Sequence, residues 1–110
     1  MNPIVRARIK TRRELARQGY GPLYDGILQI LLKHNPARLD LTRGDARDDY
    51  GSPAGTLIPR LADIKESHLE EVLYGEMEHW YRQEAGRPEH YDGIAHEIWQ
   101  AWMTFQRISD

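Results

Sequence analysis

The stretch "YDGIAHEIWQAWMTF", residues 91–105, decides the fold class. Tyr91, Ile94, Ala95, Ile98, Trp102 and Phe105 stand at offsets of 0, 3, 4, 7, 11 and 14, one side of a 3.6-residue helix. No stretch of the chain alternates apolar and polar residues with period two over a strand's length. The expectation is an all-α protein.

Working outward toward the N-terminus, "SHLE" at 67–70 has the form of a capping box. Ser67 is placed to accept from the amide three residues on while Glu70 reaches back, so a helix is expected to start there. Leu69, Val72, Leu73, Met77 and Trp80 make its apolar face, and Gly86 with Pro88 supplies the stop. Before it, Leu57, Ile58, Leu61 and Ile64 continue a stripe behind a start signal at Ser52-Pro53. Pro59 removes a backbone donor and crowds the preceding turn, so this helix is expected to be short, beginning near Pro59, or kinked. Leu23, Ile27, Ile30 and Leu31 define an earlier helix whose limit is set by Pro36.

Residues 3–17 carry a weaker stripe of Ile4, Val5, Ile9, Leu15 and Ala16, interrupted by arginines and closed by "GYGP". It reads as a helix that docks poorly. The expected architecture is a small bundle of three to four helices with a basic N-terminal segment and a long polar loop between the first and second core helices. Two regions follow: residues 1–19 as a basic arm or helix, and 20–110 as a single helical domain.

The composition agrees with one folded domain. A chain of 110 residues with 40% hydrophobic and 29% charged residues has the apolar surface for a core, and folding at this size buries roughly two-thirds of what the unfolded chain exposes. The absence of cysteine removes disulfides, thiolate metal sites and cysteine nucleophiles together. "TRRELAR" at 11–17 resembles a twin-arginine export signal but "QGYGPLYDG" follows where a continuous apolar segment is required, and no run approaches the ~20 apolar residues of a membrane span. A cytoplasmic protein, not held in a membrane, is expected.

The net charge of −2 conceals a split. Residues 1–19 hold six Lys or Arg against Glu14, a balance of +5, while the remainder holds nine against sixteen acids, a balance of −7. A basic arm on an acidic body is a means of steering charged partners.

The polar loop, "HNPARLDLTRGDARDDYGSP" at 34–53, has the aspartates that calcium favours but not their spacing. Counted from Asp45, Arg47 and Tyr50 stand where an EF-hand needs an acid and a glycine. Arg38, Arg43 and Arg47 interleave with Asp40, Asp45, Asp48 and Asp49 and neutralise much of the field a cation needs. "RGD" at 43–45 is adequately explained as turn chemistry. "EMEH" at 76–79 gives one Glu-x-x-His where a di-iron bundle needs two, and "HEIWQ" has Gln100 where a zinc-protease helix needs its second histidine. No nucleophile elbow or phosphate loop occurs. No catalytic residue, metal or cofactor is expected.

The order of features resembles a known group. A helix ending in Asn35-Pro36, a loop ending in Asp48-Asp49-Tyr50 and an Ile94-Ala95 pair in the last helix are similar to a group of small bacterial all-helical proteins of unassigned function, some of whose relatives look like immunity proteins of toxin systems. The likeness covers about residues 23–105. His34 stands where the group has tryptophan, the interval from Ala37 to Arg47 is extended, and Gly51 replaces a further acid. The resemblance implies the helical fold and an ordered Asp48-Asp49-Tyr50 segment.

The functional expectation is a non-enzymatic domain that binds a protein with a basic surface, in its sharpest form an immunity protein that blocks a toxin's basic active site. Asp40, Asp45, Asp48 and Asp49 would form the ion pairs, with Tyr50 and Trp99 as aromatic anchors. Trp99 is singled out because it stands about 100° from Ile98, at the margin of the apolar face. The alternatives are nucleic-acid binding through Arg6, Arg8, Arg12 and Arg13 on the basic arm, a structural protein, and, less favoured, a metal hydrolase built on Glu76, His79 and a loop aspartate.

Overall fold

The computed structural model describes residues 12–39 and 50–109, and these are all-helical, with no strand among them. The described residues form five α-helices in order: α1 (Arg12–Arg17), α2 (Gly21–His34), α3 (Gly51–Leu61), α4 (Glu66–Tyr81) and α5 (Asp92–Ser109). Two 3-10 turns, Arg82–Ala85 and Pro88–Tyr91, carry the chain from α4 to α5. Residues 40–49, the middle of the segment expected to be a polar loop, lie outside the described residues, as does most of the basic segment.

Helix α2 packs on α3 and α5, and α4 packs on the same two, so the four longer helices surround one interior. Leu23, Ile27 and Leu31 of α2 meet there with Leu57, Ile58 and Leu61 of α3, Leu69, Leu73 and Met77 of α4, and Ile94, Ile98 and Trp102 of α5, all buried. The stripe read at 91–105 is thus the inner face of α5. Each such aliphatic side chain removed from water contributes about 2 kcal/mol. Tyr91 belongs to the preceding 3-10 turn rather than to the helix, and Phe105 is only half-buried, stacked between Tyr20 and Trp102.

Three local expectations are corrected. Helix α4 starts one residue before the expected cap, with extended Lys65 in the N-cap position and no side-chain hydrogen bond there. The first turn is closed instead by His68 N donating to Lys65 O at 2.9 Å. Helix α3 begins at Gly51, so Pro53 falls in its first turn, and it continues through Pro59. Pro59 stands in the last turn, where it removes the bond its N–H would have donated to Gly55 O, and the helix ends two residues later. The third concerns α1. Its Leu15 is buried in the core and α1 packs on α2 and α3, so this end of the basic segment is part of the folded body.

No described helix is long and apolar enough to cross a membrane.

Candidate functional site

Residues 35–39 and residue 50, which flank the segment 40–49, are held together. Asn35, which ends α2, has φ +44, a left-handed conformation that asparagine adopts more readily than most residues, and its N–H donates to Leu31 O at 2.7 Å. Its side chain then grips the chain four residues on: Nδ2 donates to Leu39 O and Leu39 N donates to Oδ1, both at 2.9 Å. The Tyr50 hydroxyl donates to the same Oδ1 at 2.6 Å and accepts from Ala37 N at 3.1 Å. Residues 35–39 and residue 50 are thereby clasped together. Tyr81 meets the Tyr50 ring edge-on at 5.6 Å, and the Tyr24 hydroxyl lies so near Gly51 that a Cβ there would come within 2.7 Å of it.

This clasp corrects the reading of Tyr50 as a partner anchor. Its side chain is fully buried and its hydroxyl is engaged within the chain, so it offers no surface to another molecule. Asp40, Asp45, Asp48 and Asp49 lie outside the described residues. Trp99 is half-buried on α5 and packs against the edge of the core, which leaves part of its ring accessible.

The described acidic surface runs along α4 and across the two 3-10 turns. Among the described residues Glu70, Glu71, Glu84, Glu89 and Asp92 take part in no ion pair. Glu71, Glu84, Glu89 and Asp92 are exposed. Of the basic-arm residues, Arg6 and Arg8 lie outside the described residues, Arg12 begins α1, and Arg13 is exposed on it.

The Glu-x-x-His pair proves to be split between two environments. Glu76 is fully buried on the apolar face of α4, where Oε1 accepts from Arg60 at 2.6 Å and Oε2 from Thr56 at 2.7 Å, both on α3. His79 is turned aside, edge-on to Trp80 at 5.0 Å. No group of three or more histidines, aspartates or glutamates able to hold a metal ion occurs among the described residues. Trp80 Nε1 is buried there without a hydrogen-bond partner.

Two further polar structures were not anticipated. Glu97 on α5 accepts from Lys33 and from His34 Nε2 at the end of α2. The bonds from Lys33 and then from His34 hold its carboxyl below the ordinary carboxylate range. In the turn between α4 and α5, buried Tyr91 donates to Ala85 O at 2.5 Å and Tyr74 donates to Gly86 O at 3.3 Å. Burial, followed by the neighbouring Tyr50 and Tyr74, pushes the Tyr91 hydroxyl well above its usual range.

The Glu76 site had a signal: residue 76 follows Leu69 by seven and Leu73 by three, the spacing of the buried stripe. The pairing of Asn35 with Tyr50 had none, because a contact across fifteen residues leaves no periodic trace. No protein-family model matches the chain, and neither the curated proteins nor the solved structures contain a match.

Proposed function

We propose that this is a non-enzymatic protein-binding domain that engages a partner with a basic surface. The observation that supports this reading is the contrast between paired and unpaired carboxylates. Glu76 and Glu97 are bound to cations of the chain's own helices, whereas Glu70 and Glu71 of α4, Glu84 and Glu89 of the following turns, and Asp92 have none among the described residues. Unpaired acids on a body carrying −7 create a field that accelerates and orients encounter with a cationic surface. The aspartates at 40, 45, 48 and 49 would extend that surface from the clasped loop, and the accessible edge of Trp99 would supply an apolar anchor. Immunity against a toxin with a basic active site is the particular form suggested by the resemblance of Asn35-Pro36, Asp48-Asp49-Tyr50 and Ile94-Ala95.

The test is co-expression with the product of the neighbouring reading frame, followed by affinity measurements over a range of salt. A complex that weakens with salt, through a slower association rate, and that is lost in D48N/D49N or E70K/E71K variants of unchanged melting temperature, is the expected result. Affinity unaffected by either pair of substitutions would remove the acidic surface as the site.

A second reading, nucleic-acid binding, is supported by the exposure of Arg13 and Arg17 on a docked α1. Because Leu15 is in the core, the suitable test is substitution of Arg6, Arg8 and Arg13 by glutamine rather than removal of residues 1–19. Loss of a steeply salt-dependent affinity for duplex DNA or RNA is the expected outcome.

A further inference from the structure

A cleft of about 410 Å³ opens between the turn that follows α2 and the turns that link α4 to α5. Its lining is rich in donors: Arg38 on one wall, and Gln83, Arg87 and His90 on the other, with Glu84 the one carboxylate among the described residues. Neither the Arg38 nor the Arg87 guanidinium takes part in an ion pair or hydrogen bond among the described residues, although the body as a whole is acidic. Two guanidinium groups without a carboxylate partner among the described residues thus line one cleft of a chain with an excess of carboxylates.

The walls are unusually well fixed for connecting segments. On the first, Arg38 has φ +55, a conformation that L side chains rarely adopt. It is held there because Arg38 N donates to Asn35 O at 3.0 Å while the Asn35 side chain bonds both N and O of the next residue, Leu39. Glycine would occupy this position without strain, yet an arginine stands there, and non-glycine residues in such conformations concentrate where a side chain is needed in one place. On the second wall, Tyr91 and Tyr74 bond the carbonyls of Ala85 and Gly86. Gly86, at φ +80, lies against the His90 ring, where an added Cβ would come within 3.2 Å of Nδ1. The donors are therefore presented by backbone that is already set, the condition for binding without a large ordering cost.

We propose that this cleft is a binding site for a small organic phosphate monoester, its phosphoryl group held between Arg38 and Arg87. Guanidinium groups present paired N–H donors that match phosphate oxygens, and donors from opposite walls reach a tetrahedral group with three terminal oxygens better than a planar carboxylate. His90 and Gln83 supply further donors beside them. The cleft is larger than a bare phosphate and lies within the volume range of sites for small organic ligands, so the phosphoryl group carries a body. Glu84 limits the charge of the site and stands to accept from a hydroxyl or amine of that body.

The test is calorimetric titration at low ionic strength with adenosine monophosphate, glycerol 3-phosphate, inorganic phosphate and succinate. Saturable binding of at least one monoester, tighter than inorganic phosphate and much tighter than succinate, is expected. Arg38→Gly removes the guanidinium and also relieves the positive φ, so it should melt no lower than the parent chain while binding about tenfold more weakly, and Arg87→Ala should lose a similar factor. Arg107→Ala, an exposed cation of α5 outside the cleft, should bind as the parent does. The proposal is overturned by any of four results: no saturable binding, unchanged affinity in Arg38→Gly and Arg87→Ala, an equal loss in Arg107→Ala, or succinate or inorganic phosphate binding as tightly as the monoesters.

Discussion

Glu76 and Glu97 are the same side chain put to the same use in two different media. Each joins its own helix to another: Glu76 joins α4 to Arg60 and Thr56 of α3, and Glu97 joins α5 to Lys33 and His34 of α2. Glu76 has 0% of its side chain exposed and Glu97 has 33%. Outside, water is an alternative partner of nearly equal quality, so the bond adds little when made and costs little when broken. Inside, no such alternative exists, and the partners become a condition of the fold. Arg60 resolves the matter by keeping part of its length in solvent while its guanidinium serves the interior.

The sharpest way to break this comparison is to remove the inner cation. Arg60→Met should destabilise the chain by about 3 kcal/mol, because it takes a charged hydrogen-bond partner from a carboxylate that is fully buried. Adding Glu76→Met should recover a large part of that loss, since an apolar pair in place of a buried ion pair is often neutral or better. Urea denaturation of the two single variants and the double variant measures both effects. An Arg60→Met change that costs no more than a surface substitution would show that the α3–α4 contact does not depend on the pair. Tyr50→Phe follows in size, at about 1.5 kcal/mol, because it deprives buried Ala37 N of its acceptor and Asn35 of a donor. Heat denaturation of the parent and the variant checks it. Proteolytic cleavage between residues 39 and 50, enhanced in Tyr50→Phe, would show that the hydroxyl clasps those two positions together rather than merely filling the core.

The difference between the two carboxylates also explains what could be read in advance. The inner faces of α2, α4 and α5 were legible because burial repeats with the helical turn, and Leu31, Leu73 and Ile98 stand where periodicity places them. Glu76 shares that repeat, but a carboxylate at a core position reads first as chemistry, and only Arg60 and Thr56, a turn apart on another helix, show it to be structure. The clasp around Tyr50 was half legible. Asn35-Pro36 correctly marked the end of α2, whereas the ring expected to meet a partner turned inward, since a hydroxyl that can reach Asn35 and Ala37 allows a large aromatic to be buried without an unsatisfied group. The start of α4 was misplaced by one residue because the closing of a first turn depends on the preceding backbone, here extended Lys65, and not on the capping side chain alone.

The smallest effect is expected at Glu97, and pH isolates it. The bonds from Lys33 and His34 hold its carboxyl below the ordinary value of 4.5, so the folded chain binds this proton less readily than the unfolded one. The stabilisation is therefore fully present above about pH 4.5 and is lost as pH falls through the lowered folded value. At pH 7 and moderate salt Glu97→Gln should cost about 0.5 kcal/mol, the scale of an exposed pair, and less as salt is added. Parent and variant should converge on acidification through the range below pH 4.5, where the parent's carboxylate becomes neutral like the amide. Denaturation series at pH 7 and in that acidic range measure the gap. A gap that persisted on acidification would mean that Glu97 acts by packing between α2 and α5, and the outer carboxylate would then resemble the inner one more than its exposure implies.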